Sequence, residues 1–399
     1  LRSIATGADG NIGIGSKSGY YLSTADYNTF VGYYTAQQTT VTGNGNVALG
    51  YKGLYGLAGG EYNVAVGYEA LGSCTSASNL IAIGYKALYT AGTAATNSTA
   101  IGYEALYTNN SADGESVAIG YRAGKVSTAH YNTFIGSQAG VTTSTGSGNT
   151  YIGRAAGHGT TQGSSNVFVG QTAGYYASHS ASSNSIIIGN GAGATNSGKT
   201  YVNYCTVIGH GADVANASDS LNYNQIVIGG GAVGTGDNQV SLGNTNITSI
   251  KGQVSFGTYS DRRIKKDIKN SDLGLDFINK LRPVKYKKVN PADYPEELLE
   301  NRFTKNEPEE RQEDDSATYD GLVAQEVEKV LQEIGKTWSG HQTNDSDGKQ
   351  SIKYGELTIP LIKSVQELSQ ENEQLKQENE TLKQQMSSVL ARLDALEKK

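Results

Sequence analysis

One four-residue pattern, recurring twelve times, constrains this chain more than any other feature: a β-branched residue, a variable residue, an aliphatic residue, then glycine. The copies run Thr29 to Gly32, Val47 to Gly50, Val64 to Gly67, Ile81 to Gly84, Thr99 to Gly102 and Val117 to Gly120. They continue as Thr133 to Gly136, Thr150 to Gly153, Val167 to Gly170, Ile186 to Gly189, Thr206 to Gly209 and Ile226 to Gly229. Ile12 to Gly15 and Val240 to Gly243 read as terminal copies. Successive glycines lie about 17 residues apart, widening to about 20 near the end, and a fixed period of this length marks a stacked repeat architecture.

Each copy reads as a short strand. Its first and third positions are expected on one face as a buried apolar row, with the middle position facing the other way. That middle position is alanine in five copies and aromatic in four, Phe30, Phe134, Tyr151 and Phe168. An alanine commonly follows the glycine by three residues, as at Ala70, Ala87 and Ala105, which suggests a second, small-residue strand after a turn. Asn, Ser, Thr and Gly fill the rest of each period as turn residues. A rung this short cannot bury its own row, so rungs must stack into a parallel β-roll or β-solenoid.

Composition sets the boundary of the repeat. All five prolines fall after Gly257, while 45 of the 51 glycines fall before Thr258. Charge divides at the same place: 19 Asp, Glu, Lys and Arg precede residue 258, leaving 51 of the 70 for the last 142 residues. The expected organisation is therefore a mainly β repeat over 1–257, a small α+β domain over 258–360 and a coiled coil over 361–399. Net charge is only −6, and the longest basic cluster is Arg262 to Lys269, so no nucleic-acid partner is expected. Cys74 and Cys205 stand in unlike repeat contexts, which encodes neither a disulfide framework nor a metal site, and no cofactor is implied. No run approaches the roughly 18 apolar residues of a membrane helix, so no membrane insertion is expected. The chain opens on leucine rather than methionine, which suggests a fragment or a processed product.

Ser116-Val117-Ala118-Ile119-Gly120 and Ser98-Thr99-Ala100-Ile101-Gly102 resemble the head repeat of trimeric autotransporter adhesins over roughly 230 residues. The resemblance implies a parallel β-roll assembled as a homotrimer. Tyr51, Tyr68, Tyr85, Tyr103 and Tyr121 each follow a repeat glycine, so stacking would align them as a ladder of rings. Such a ladder serves either recognition of a host glycan or protein, or packing between rungs or subunits. The histidines share no position in the period and read as solvated loop residues. Asp and Glu are too scattered here to form the paired carboxylates of a glycosidase.

Beyond the repeat, Leu275, Ile278 and Leu281 share a helical face that Pro283 closes. A strand over Val284 to Val289, an acidic loop over 291–316, a short buried strand at Gly321 to Ala324 and an amphipathic helix over Gln325 to Ile334 are expected next. In the last 40 residues Val365, Asn372, Asn379, Met386 and Leu393 occupy heptad position a, and Leu361, Leu368, Leu375, Leu382, Val389 and Leu396 position d. Asn372 and Asn379 specify register at some cost in stability.

Three motifs read together, Ser260-Asp261-Arg262-Arg263-Ile264-Lys265, Gly321-Leu322-Val323-Ala324-Gln325-Glu326-Val327 and Leu361-Ile362-Lys363-Ser364-Val365-Gln366, resemble the self-cleaving intramolecular chaperone of phage tail spikes and fibres, the S74 peptidase. The resemblance implies that Ser260 is the nucleophile and Lys265 its partner, that the cut falls between Tyr259 and Ser260, and that Asp261, Arg263, Gln325 and Glu326 support the motif. Arg262, Arg263 and Lys266 would crowd the Lys265 ammonium and favour its neutral form; His341 is a weaker candidate assistant. The implied protein is a trimeric tail fibre: chaperone segment made in the host cytoplasm, fibre carried on the virion, partners a host receptor and neighbouring tail or baseplate proteins. Two alternatives share parts of this pattern, a bacterial surface adhesin that retains an uncut chaperone domain and a fibre-borne polysaccharide depolymerase.

Overall fold

A computed structural model describes residues 7–92, 95–109, 114–177, 182–193, 201–214, 221–244, 247, 249–253, 257–289, 318–343 and 348–397. The expected acidic loop over 291–316 lies outside these residues. The chain divides into two compact units, Leu1–Ile247 and Thr248–Lys399.

In the first unit all fourteen copies of the pattern become three-residue strands, Ile12–Ile14 through Val240–Leu242, joined in chain order into one parallel sheet. Register is strictly one repeat per rung: Thr133, Phe134 and Ile135 pair with Thr150, Tyr151 and Ile152, and the same offset holds along the stack. The architecture is a parallel β-solenoid.

The face assignment from sequence is corrected. The middle residue of each strand between the two terminal copies points inward: Phe30, Ala48, Ala65, Ala82, Phe134, Tyr151, Phe168 and Ile187 are fully buried. The first and third positions, expected to form the buried row, point outward; Val47 is 38% exposed, Leu49 48%, Ile81 40% and Ile83 38%. The reason is width. A coil of about 17 residues encloses little volume, so alanine or one flat ring per rung fills it, and a branched pair on each strand has no room inside.

The second strand is also corrected. Ala70, Ala87, Ala105, Ala123 and Ala139 are buried, but they lie in turns. Among the described residues, a further strand forms only at Thr90–Ala91 with Thr108–Asn109 and at Tyr201–Asn203 with Leu221–Tyr223. The corner after a strand instead uses two positive-φ residues separated by one, for example Gly102 at +138° and Glu104 at +51°. Glycine is required at the first: a Cβ on Gly102 would lie 2.3 Å from the Gly120 carbonyl oxygen of the next rung.

The sequence pattern marks the residues before the strands as turn filler, yet at most rungs they are buried polar side chains, and runs of asparagine among them form a ladder. Asn46 Oδ1 accepts the Asn63 backbone amide at 3.0 Å, and Asn63 Nδ2 donates to Asn46 Oδ1 at 3.0 Å and to the Ala77 carbonyl at 2.9 Å. Asn132, Asn149 and Asn166 repeat the arrangement. Each amide satisfies backbone groups that the narrow coil hides from water.

The second unit has a small core of Leu273, Phe277, Val327, Leu331 and Trp338. Helix α1 (Leu275–Lys280) buries Phe277, which meets Trp338 edge to face at 5.7 Å, while Ile278 and Leu281 are only partly buried. The strand expected at 284–289 is Val284–Tyr286; its antiparallel partner is Tyr319–Gly321, earlier than the Gly321–Ala324 expected. Helix α2 (Ala324–Glu333) follows, with Val327 and Leu331 inward. A hairpin of His341–Thr343 and Gln350–Ile352 leads to helix α3 (Thr358–Glu397), 40 residues long. Pro360 sits in its first turn, where a missing N–H costs nothing.

Candidate functional site

Asp261 organises the junction. Its carboxylate caps a single 3-10 turn, Arg262–Ile264, by accepting the Arg263 amide at 2.8 Å, and also takes the Arg263 guanidinium with Nη2 at 2.7 Å. The Arg263 side chain and then its amide hold the Asp261 carboxyl below the usual carboxylate range. This turn reverses the chain so that Lys265 Nζ reaches Ser260 Oγ at 2.5 Å. A serine hydroxyl and a lysine amine in direct contact can exchange a proton, and the Tyr259 carbonyl is one peptide bond from the hydroxyl.

Every residue from 257 to 272 is exposed, and Tyr259 is 92% exposed. The single chain thus supplies the contact without the burial that favours a neutral lysine. Arg263 is committed to Asp261, so its charge is partly answered, unlike the free crowding expected from sequence. Glu326 pairs with Arg282 through Nε at 3.0 Å and a second, shorter contact at Nη2. Gln325 is exposed. Among the described residues no hydrogen bond links either to residues 259–265. Arg282, which the sequence marks only as a helix end, is thus the partner of Glu326, while the Tyr354 hydroxyl accepts the Leu322 amide of the same motif at 2.8 Å. His341 contacts Gln350 at 3.3 Å across its hairpin and none of the junction residues.

The tyrosine ladder forms. Tyr33, Tyr51, Tyr68, Tyr85, Tyr103 and Tyr121 stack in sequence with centroids 4.8 to 5.7 Å apart and planes within 20°. Ring faces are therefore largely spent on neighbouring rungs, and edges and hydroxyls meet solvent. Beside it runs a column of alternating charge, Lys52, Glu69, Lys86, Glu104, Arg122. Lys86 pairs with Glu69 at 3.3 Å, and Arg122 and Lys125 grip Glu104 at 2.9 and 2.8 Å. His158 departs from the solvated reading: it stacks on Tyr175 at 4.6 Å, and burial lowers its pKa. Cys74 and Cys205 are buried free thiols, and burial pushes the Cys74 thiol up to about 11.

A long parallel β-solenoid followed by a small unit with a serine–lysine contact at its entrance defines the class: a repetitive fibre-like protein with a separate C-terminal module. Residues 260–336 match the family model described as the chaperone of endosialidase, peptidase S74. The match begins at Ser260. Together with the solenoid it fits a tail fibre that carries a C-terminal chaperone domain. No curated protein and no solved structure matches the chain.

Proposed function

We propose that this chain is a homotrimeric, receptor-binding tail fibre whose C-terminal unit aligns the chains during assembly and then releases itself by cutting between Tyr259 and Ser260. The observation that carries the proposal is the 2.5 Å contact of Lys265 Nζ with Ser260 Oγ at the first residue of the chaperone match. In the proposed reaction neutral Lys265 takes the hydroxyl proton as Oγ bonds to the Tyr259 carbonyl carbon. The Tyr259–Ser260 C–N bond breaks, and the proton passes to the departing amine. Water then hydrolyses the ester, leaving a Tyr259 carboxylate and free Ser260. Because one chain leaves this site exposed, association of the three chains supplies the burial that switches it on.

Two surfaces support assembly. The outward row of the solenoid presents Val, Ile and Leu along fourteen rungs, a contiguous apolar surface that a soluble monomer rarely leaves open. Along α3 the heptad residues are equally bare: Val365 is 65% exposed and Leu382 61%. Stacked rungs that resemble one another slip easily in register, which is why temporary alignment would be useful.

On a denaturing gel, wild-type protein should yield pieces of about 260 and 140 residues, whereas Ser260→Ala and Lys265→Met should each remain full length. Splitting of either variant at the same bond would remove these two residues from the mechanism.

A further inference from the structure

The two columns that build the tyrosine ladder change character after Tyr121. The ring column continues as Ser137, Arg154, Gln171, Asn190 and His210, and the charged column passes through Gln138 to Ala155, Thr172, Gly191 and Gly211. In the charged column long side chains thus give way to small ones, in the ring column the stacked tyrosines end, and a groove of about 480 Å³ opens over these rungs. From Gln138 to Gly211 it crosses four rung spacings, roughly 19 Å at about 4.8 Å each. Tyr175 and Tyr176 stand in its wall, edge to face at 4.8 Å, with Tyr175 held by its stack on His158.

Its polar groups point to one ligand chemistry. No carboxylate lines the groove. Lys86, Arg122 and Lys125 are all paired with glutamates. Arg154, exposed in the groove, meets no carboxylate among the described residues. Gln138 and Asn190 add amide donors and acceptors along the same line. A rigid aromatic wall, amides and an uncommitted guanidinium suit a sugar ring, its hydroxyls and a carboxylate respectively.

We propose that this groove binds a carboxylate-bearing oligosaccharide, with Arg154 on the carboxylate and Tyr175 or Tyr176 against a sugar face. The inference rests on the receptor-binding part of the proposed function and places it away from the tyrosine ladder, whose ring faces are already occupied. Isothermal titration of the full chain with tetragalacturonate, α2,8-linked tetrasialic acid and maltotetraose tests it. Binding of at least one acidic tetramer in preference to maltotetraose is expected, weakened at least tenfold by Arg154→Gln or Tyr175→Ala and less than twofold by Lys52→Gln on the ladder side. Absence of binding by both acidic tetramers, equal binding of maltotetraose, or indifference to Arg154→Gln would overturn it. Labelled full chain on a panel of intact bacteria separates the two levels. Cell binding that survives Arg154→Gln defeats the groove and leaves receptor binding standing; absence of both cell and oligosaccharide binding defeats both.

Discussion

Asn149 shows how much of the solenoid rests on single buried amides. Its Oδ1 accepts the Asn166 backbone amide at 3.0 Å and Asn166 Nδ2 at 3.2 Å, and its Nδ2 donates to the Gly163 carbonyl at 2.8 Å. Asn149→Ala strands the Asn166 amide and the Gly163 carbonyl in a dry interior, at about 1–3 kcal/mol for each orphaned group. A loss of about 2–6 kcal/mol in urea unfolding is expected. Two residues away the sign reverses. Tyr151 is fully buried between Phe134 and Phe168, and its hydroxyl, facing Thr160 and Asn166, makes no hydrogen bond. Tyr151→Phe should be neutral or stabilise by up to about 1 kcal/mol; a clear loss in the same unfolding assay would mean the hydroxyl is partnered after all. The period and the rung residues were legible in the sequence, but the inward face was misassigned. Alternation marks two faces without saying which is inside. Five alanines at the middle position carried the cue, since in so narrow a coil the smaller residues belong inside.

Helix α1 is too short to hold itself and depends on α3. Gly274 offers no side-chain cap, and Glu367 Oε2 accepts the Leu275 amide at 2.6 Å while Lys363 pairs with the same carboxylate at 3.0 Å. The Leu275 amide and then Lys363 lower the Glu367 pKa. The folded value lies below the unfolded one, so this tie is complete above the ordinary carboxylate range near about 4.3 and is lost as pH falls through the folded value. Trp338, the only tryptophan and packed on Phe277 of α1, reports it. Wild-type fluorescence should change on acidification below about pH 4.3, and Glu367→Gln should show the loosened signal already at pH 7. An unchanged signal in the variant would mean that α1 docks without this carboxylate. Helices α2 and α3 were legible because apolar residues recur at three and four residues. The face of α1 was legible in part, since Ile278 and Leu281 pack against the core while the fully buried Phe277 lies off the Leu275–Ile278–Leu281 line; the strand Tyr319–Gly321 was not, because its charged middle residue hides it.

At the scale of the whole molecule, each unit presents apolar rows that its own chain does not cover. Among the described residues of the second unit only five core side chains are buried, small support for so many exposed heptad side chains, and oligomerisation is a common remedy. Ile83→Lys combined with Ile119→Lys should leave the rungs intact by circular dichroism and reduce subunit association in sedimentation. Unchanged association would move the interface off this row. Subunit number was not legible in the sequence, since polar a positions beside leucine at d favour dimers while the repeat resembles trimers. The serine–lysine pair was legible as a motif; its geometry was not, because it depends on the Asp261-capped turn.

The proposed release turns on the bond between Tyr259 and Ser260. Mass spectrometry of freshly assembled protein, denaturing for the pieces and native for their number, tests it most directly. Residues 1–259 and 260–399 should appear as separate species from wild type, with three copies of the first in the native particle, and one intact 399-residue chain from Ser260→Ala. A wild-type assembly whose chains stay whole, or a cut at any other bond, would contradict it.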